Sequence, residues 1–313
     1  MFYLDFEEKL EFINNERLIL INSSKTDNLN ISEKLKKLDN KAKKELSRIY
    51  KDISPWDIVK VARHPNRPKT KDYIKHLFTD FTYLSGDRLY SEDKSIVSGL
   101  AKIDGQPVLI LGNEKGNDME SRIFHNFGMA KPEGYRKSQR IMKLAEKLQL
   151  PLLLFIDTSG AYPGKDAEER GQAEAIAKSM QTSLNMNSPC ISIIIGEGGS
   201  GGAIALGTSD RVLMLSNSIY SVISPEGCSS ILWKSSDFSK IAANALKITA
   251  NDCFKLKIID EIVDEPIGGA HREVLKTCSI LKETLLSNLK ILNKINLSEL
   301  RISRSKRYLD YVI

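Results

Sequence analysis

Between Leu152 and Val263 short apolar runs alternate with amphipathic stretches. That alternation predicts strands joined by crossover helices in a largely parallel sheet. Leu152 to Ile156 and Cys190 to Ile195 are almost continuously apolar, with only Ser192 breaking the second run. Runs of that kind predict strands covered on both faces. The first ends in Asp157-Thr158-Ser159-Gly160-Ala161-Tyr162-Pro163-Gly164, and Ala173, Ile176, Ala177, Met180 and Leu184 then recur at helical spacing. The second run meets Gly196, Gly198, Gly199, Gly201 and Gly202, after which Ala203 to Leu206 predict the first turn of a helix. Ile219 to Ile223 followed by Ser224-Pro225-Glu226-Gly227-Cys228 repeats the strand–loop–helix unit.

Upstream the pattern changes. Phe6 to Ile21 and Ile31 to Lys51 predict two charged helices around a polar link, Asn22 to Asn30. The second carries a thin stripe of Leu35, Leu38, Ala42 and Leu46, suited to packing on its own domain or to gripping another subunit. Ser54-Pro55-Trp56-Asp57 predicts a capped helix start. Asp104-Gly105, between Ser95–Ile103 and Pro107–Leu111, predicts a two-residue hairpin. A loop from Asn113 to Glu133 precedes a helix with Ile141, Leu144, Ala145 and Leu148 on one face. Leu275 to Ile291 reads as a C-terminal helix and Arg301 to Ile313 as basic. The division expected is a helical arm over 1–52, an α/β domain over 53–295 and a basic tail over 296–313.

The glycine cluster is where chemistry is expected. Glycine lets a ligand approach the backbone, and the first N–H groups of a helix suit a phosphate or a developing oxyanion. Gly196-x-Gly198-x-x-Gly201 fits a dinucleotide fingerprint, but Ser216-Asn217-Ser218 stands where a ribose-binding acid belongs. A Walker loop is excluded, since no Gly-Lys-Ser/Thr follows. Gly198-Gly199-Ser200-Gly201-Gly202 also fits a nucleophile elbow. The rival reading is therefore a serine hydrolase, crotonase/ClpP-like or α/β-hydrolase in type, using Ser200 with His271 and one of Asp252, Asp260 or Asp264.

Bulk properties narrow the field. No run of 18 apolar residues exists to span a membrane, and the acidic N-terminus does not resemble a signal or transit peptide. Cytoplasmic residence is the expectation. Cys190, Cys228, Cys253 and Cys278 include no C-x-x-C pair, which argues against a zinc site in this chain. The net charge of +6 comes from scattered lysines without an aromatic-interleaved basic patch, so no nucleic-acid partner is expected.

Several segments together carry a resemblance. They are Ala62-Arg63-His64-Pro65, Phe127-Gly128-Met129, Pro132-Glu133-Gly134-Tyr135-Arg136-Lys137, Phe155-Ile156-Asp157-Thr158, Gly160 to Gly164, Ala167 to Gln172, Ile195 to Ala203, Tyr220 to Cys228 and Gly268-Gly269-Ala270-His271-Arg272. In order and spacing they resemble the carboxyltransferase alpha subunits of bacterial and plastid acetyl-coenzyme A carboxylase. Ser159, Asn113 and His125 depart from that family's usual residues. The resemblance implies an α/β crotonase-like (ClpP/crotonase) spiral of β-β-α units with an N-terminal helical arm. It further implies transfer of a carboxyl group from carboxybiotin on the biotin carboxyl carrier protein to acetyl-CoA, giving malonyl-CoA for fatty acid synthesis. Implied partners are a zinc-bearing beta subunit in an alpha2beta2 heterotetramer, the carrier protein and an ATP-using biotin carboxylase. This chain itself is expected to hold no covalent cofactor and no metal. On this reading the N–H groups of Gly201 and Gly202 form the oxyanion hole for the biotin ureido anion, shaped by Gly198, Gly199 and Ala203. Gly160 and Ala161 line the opposite wall, and Lys115 and Arg136 meet coenzyme A phosphates.

Overall fold

The structure, a computed structural model, describes residues 2–23 and 28–310. Residues 24–27 of the expected polar link, and the last three residues of the expected tail, lie outside that range. In chain order the arm is α1 (Glu8–Ser23) and α2 (Asn28–Lys51), followed by α3 (Pro55–Ala62) and α4 (Thr70–Leu77). Then come β1 (Thr79–Tyr83), β2 (Ile96–Ile103), β3 (Gln106–Asn113), α5 (Met119–Phe124) and α6 (Pro132–Leu148). The alternating core is β4 (Leu152–Thr158), α7 (Lys165–Glu169), α8 (Gln172–Asn185), β5 (Cys190–Gly199), α9 (Ser200–Gly207), β6 (Arg211–Leu215) and β7 (Ile219–Ser221). The chain continues through α10 (Pro225–Trp233), α11 (Ser239–Ala245), α12 (Ala250–Lys255), β8 (Glu261–Val263), α13 (Val274–Leu292) and α14 (Leu297–Leu309).

The strands form one mixed sheet in the order β1-β2-β3-β4-β5-β6-β8, with β7 pairing separately to β5. β1, β2 and β3 are antiparallel, and from β3 onward every pair is parallel. The hairpin lies at Asp104-Gly105, whose φ values of 49° and 78° are those the tight turn requires. Odd-numbered residues of the central strands, such as Leu153, Phe155, Ile191, Ile193 and Ile195, pack against Leu281, Leu285 and Leu289 of α13. Even-numbered ones, such as Leu152, Leu154, Ile156 and Ile194, pack against Ile141, Met142 and Ala145 of α6 and Ala203 of α9. Both faces are covered, which is why the runs carry no polar alternation.

β5 pairs with two strands of this sheet in succession. Ile191 to Ile194 pair with β6, and Glu197 to Gly199 pair with β7. The strand therefore continues through Gly196, Gly198 and Gly199, where the sequence suggested a loop. α8 also differs from expectation. Its buried residues are Gln172, Ala175, Ser179 and Ser183, whereas Ala173 and Ala177 are exposed and Ile176, Met180 and Leu184 only partly covered. Small side chains let α8 close on α6 and α9. The hydroxyls are satisfied by carbonyls, Ser179 donating to Ala205 O at 3.0 Å and Ser183 to Thr208 O.

The segment expected as a basic tail is a docked helix over the described residues to 310. Buried Arg304 of α14 grips Asp210 with Nε at 2.8 Å and Nη2 at 2.7 Å, and donates to the carbonyls of Ser183, Met186 and Ser188. Arg307 pairs with Asp260, and the Tyr308 hydroxyl donates to Gly207 O at 3.0 Å. The charges of Arg304 and Arg307 are used inside the molecule, while Arg301 and Lys306 are exposed.

The arm is a hairpin laid on its own domain. Buried Glu7 accepts from the Tyr50 hydroxyl at 2.9 Å and from Arg272, while Lys60 pairs with Asp5 at 2.7 Å. Beneath it His64 and His271 stack with ring centroids 3.7 Å apart, and Phe2 meets His64 edge-on. Burial, with His64 and Arg272 adding to it, pushes the His271 pKa down to about 3. His271 is thus neutral when folded but takes up a proton below about 6.5 when unfolded, so stability present above pH 6.5 is lost as pH falls toward 3. His271→Phe keeps the stacked ring and removes that titration. Its melting temperature should fall less steeply than that of the native chain between pH 6.5 and 4; parallel curves would exclude a role for His271 in acid sensitivity.

Candidate active site

The C-terminal ends of β4, β5 and β7 open on one edge of the sheet, with Thr158 beside Gly198 and Gly199 beside Ser221. Crevices at such strand ends are where parallel sheets hold ligands. α9 leaves this edge directly from β5. Gly199, the residue before α9, supplies no side-chain cap, so the first-turn N–H groups, including those of Gly201 and Gly202, have no intrahelical acceptor. Ser200 is exposed and holds φ of 51°, turning the chain from strand into helix.

Most of the glycines answer to the protein's own packing rather than to a ligand. A Cβ at Gly196 would lie 2.6 Å from Asp157 Oδ1, and one at Gly198 would lie 3.0 Å from the Tyr220 ring. One at Gly199 would run into the Ser159 backbone, and one at Gly202 would stand 2.6 Å from Gly160 C and 2.9 Å from Ala161 N. Gly201 differs: nothing lies nearer than Ile176 Cδ1 at 3.6 Å. The two turns are therefore in backbone contact, and Gly201 borders the open side. Gly160 itself is closed off by Thr158, which accepts its N–H at 3.1 Å and donates to its carbonyl at 2.8 Å. Ala203 is buried in the core beneath the helix start.

Lys115 and Arg136, expected to meet coenzyme A phosphates, are instead held in ion pairs within the fold. Lys115 Nζ lies 2.9 Å from Asp157 and 3.1 Å from Glu197, between two buried carboxylates. Arg136 pairs with Asp87 and Glu133, each at 3.1 Å, and donates to Arg170 O. Both charges are engaged inside the fold. Of the departing residues, Asn113 and His125 are likewise internal, whereas Ser159 is exposed. Asn113 donates to Gly128 O at 3.3 Å; one His125 nitrogen lies 2.5 Å from Lys94 O and the other 2.9 Å from Lys71 Nζ.

Two site-supporting arginines were not singled out by any local pattern. Arg63 donates to Glu197 with Nε at 2.9 Å and Nη2 at 2.7 Å, and to Glu226 with Nη1 at 2.6 Å. Arg67, fully buried, donates to Ile195 O at 2.7 Å and clasps Glu265. Each joins positions more than a hundred residues apart, beyond any local pattern, although Arg63 lies within a segment that carried the resemblance.

The serine-hydrolase alternative fails on this geometry. His271 is stacked on His64 under the arm, and both its ring nitrogens are buried without a hydrogen-bond partner. Asp252 accepts from Thr249, Asp260 pairs with Arg307 and Arg211, and Asp264 is exposed. No acid orients the histidine, so the Ser200 elbow has no triad. Among the described residues no group of His, Cys, Asp and Glu is arranged to hold a metal ion. No helix among them is long and apolar enough to cross a membrane.

A mixed sheet, parallel from β3 onward and covered by helices on both faces, is the fold of crotonase-like carboxyltransferases. Transcarboxylase 12S, solved with methylmalonyl-coenzyme A and methylmalonic acid bound, shares it with a TM-score of 0.59 at 16% identity, over 74% of this chain and 44% of that one. The beta subunit of P. aeruginosa geranyl-CoA carboxylase gives 0.56 at 16% identity, over 81% of this chain and 45% of that one. This chain thus spans less than half of those structures, and at such identities the likeness concerns the fold. Residues 3–312 match the family described as acetyl co-enzyme A carboxylase carboxyltransferase-like. The alpha subunit of the acetyl-coenzyme A carboxylase carboxyl transferase of Zymomonas mobilis is 50% identical over 308 residues, 98% of each chain. That of Gluconacetobacter diazotrophicus is 49% identical over 307 residues, covering 98% of this chain and 96% of its own. The chain belongs to the family of acetyl-coenzyme A carboxylase carboxyltransferase alpha subunits.

Proposed function

We propose that this chain, completed by a zinc-bearing beta subunit, transfers a carboxyl group from carboxybiotin to acetyl-CoA to form malonyl-CoA. The observation that carries the reading is the uncapped first turn of α9 held in backbone contact with Gly160-Ala161 at the open sheet edge. When bound, carboxybiotin supplies the carboxyl group and a basic ureido site for the methyl proton. The N–H groups of Gly201 and Gly202, at the positive end of α9, receive the negative charge that gathers on the ureido oxygen. Gly201 offers the open approach. Gly202 sets the distance to the facing wall, and Ala203 anchors the turn in the core. On that wall Ala161 is the better donor, because the Gly160 N–H already serves Thr158. Gly198 and Gly199 admit Tyr220 and the Ser159 backbone, which fixes the height of the turn above the sheet.

The partners on this reading are the beta subunit in an alpha2beta2 assembly, the biotin carboxyl carrier protein and the ATP-using biotin carboxylase. Zinc belongs to the beta subunit, and the coenzyme A phosphates fall to groups other than Lys115 and Arg136. Four free cysteines suit a reducing cytoplasm. The isolated chain should be inactive. Mixed with its beta partner, it should decarboxylate malonyl-CoA in the presence of a biotin derivative, followed by release of acetyl-CoA. Full turnover by the homogeneous isolated chain would overturn the reading.

A further inference from the structure

The turn from Gly198 to Gly202 has no side-chain cap and little side-chain bulk of its own, so something beneath it must hold it in place. A chain of charges lies there. Asp157 Oδ1 accepts the Glu197 N–H at 3.0 Å, tying the end of β4 to β5 immediately before Gly198. The absent side chain of Gly196 is what admits that carboxylate. Lys115 Nζ lies 2.9 Å from Asp157 and 3.1 Å from Glu197, bridging the two. Arg63, immediately after α3, grips Glu197 at 2.7 Å and carries the link at 2.6 Å to Glu226 in the first turn of α10. The Phe127-Gly128-Met129 turn covers the lysine, with Gly128 at φ of 76° and its missing Cβ 2.8 Å from Lys115 Cγ.

We propose that Lys115 and Arg63 are positioning residues for carboxyl transfer, holding Asp157 and Glu197 as an ionic floor that sets Gly198–Gly202 against Gly160-Ala161. The proposal rests on the oxyanion role given above to that turn. Two carboxylates that approach a single ammonium repel one another once it is removed. Burial works to raise the pKa of Asp157, but Lys115 and Lys69 hold it below the ordinary carboxylate value. Burial acts likewise on Glu197, where Lys115 and Arg63 prevail. Burial also opposes the charge on Lys115, and Asp157 and Glu197 more than offset it. Without the lysine, one carboxylate takes up a proton at higher pH. A protonated Asp157 is a weaker acceptor for the Glu197 N–H, and the ends of β4 and β5 come apart.

The test uses the full chain and the reconstituted complex. Amide hydrogen exchange over 196–203 in the chain alone should quicken by roughly tenfold or more in Lys115→Met, and in the same direction in Arg63→Gln. In the complex, kcat should fall roughly ten- to hundredfold while KM for the acyl-CoA stays within about twofold. The acid limb of the Lys115→Met pH profile should move upward. Lys115→Met combined with Glu197→Gln rebalances the charges and should recover part of both losses. If Lys115→Met does not fold, Arg63→Gln carries the test, since Arg63 is partly exposed and its loss leaves Glu197 paired with Lys115. Unchanged exchange in the folded single variants, with an active native complex, overturns the positioning role alone. A raised KM with unchanged kcat would make Lys115 a substrate contact and overturn it too. An inactive native complex would overturn the functional reading itself.

Discussion

Gly202→Val should abolish carboxyl transfer in the reconstituted complex, with a loss of at least about a hundredfold. The cause is contact within the protein. A Cβ at this position meets Gly160 C at 2.6 Å and Ala161 N at 2.9 Å, and both are backbone atoms that yield only if the facing turn moves. Overpacking of this kind also costs about 1–3 kcal/mol of stability, which thermal melting by circular dichroism would register. Gly201→Ala separates the two roles of the turn. Its Cβ has room beside Ile176, so the fold should hold while activity falls if a ligand oxygen approaches there. Ser200→Ala should keep most activity, because no base stands ready to ionise that hydroxyl. A dead Ser200→Ala variant, with covalent labelling of Ser200 by a fluorophosphonate, would overturn the carboxyltransferase assignment in favour of a nucleophilic serine. Full activity in Gly202→Val would show that the two turns need not touch.

The largest loss of stability is expected from Arg67→Met. Arg67 and Glu265 form a fully buried pair at 2.7 Å, and the guanidinium also donates to Ile195 O and to Ser218 Oγ. Glu265 in turn accepts the N–H groups of Asn217 and Ala270. The pair thereby fastens β5, the turn between β6 and β7, and the Gly268-Gly269-Ala270 turn under the arm. Removing the arginine leaves a carboxylate stranded in the interior, at a cost of about 3–5 kcal/mol. Urea unfolding of the full chain would measure it. The double variant Arg67→Met, Glu265→Met should lose less than the single one, because no uncompensated charge remains. A loss below about 1 kcal/mol in the single variant would mean that water reaches Glu265.

The central strands, the hairpin and a helix start were legible in the sequence. Leu152–Ile156 and Cys190–Ile195 read as doubly covered strands, Asp104-Gly105 as a hairpin and Ser54-Pro55 as a helix start, because each signal lies within a few neighbouring residues. Ser54 does accept the Asp57 N–H at 3.1 Å. The order of the glycine-rich segments was equally legible, and it was sufficient for the family. Tertiary structure alone decided what those glycines are for. Gly196 and Gly202 are required by Asp157 and by Gly160-Ala161, some forty residues earlier in the chain, and nothing in a local glycine run says what will lie opposite each missing Cβ. The same limit hid the buried face of α8, where small polar residues pack more closely than the apolar stripe could. It also hid the docking of α14. Arg304 and Arg307 look like surface charge until Asp210 and Asp260 are brought beside them. Hydrophobic periodicity is a short-range signal that specifies which face of an element is apolar. Backbone contact and ion pairing join distant positions, so their partners exist only once the chain has folded.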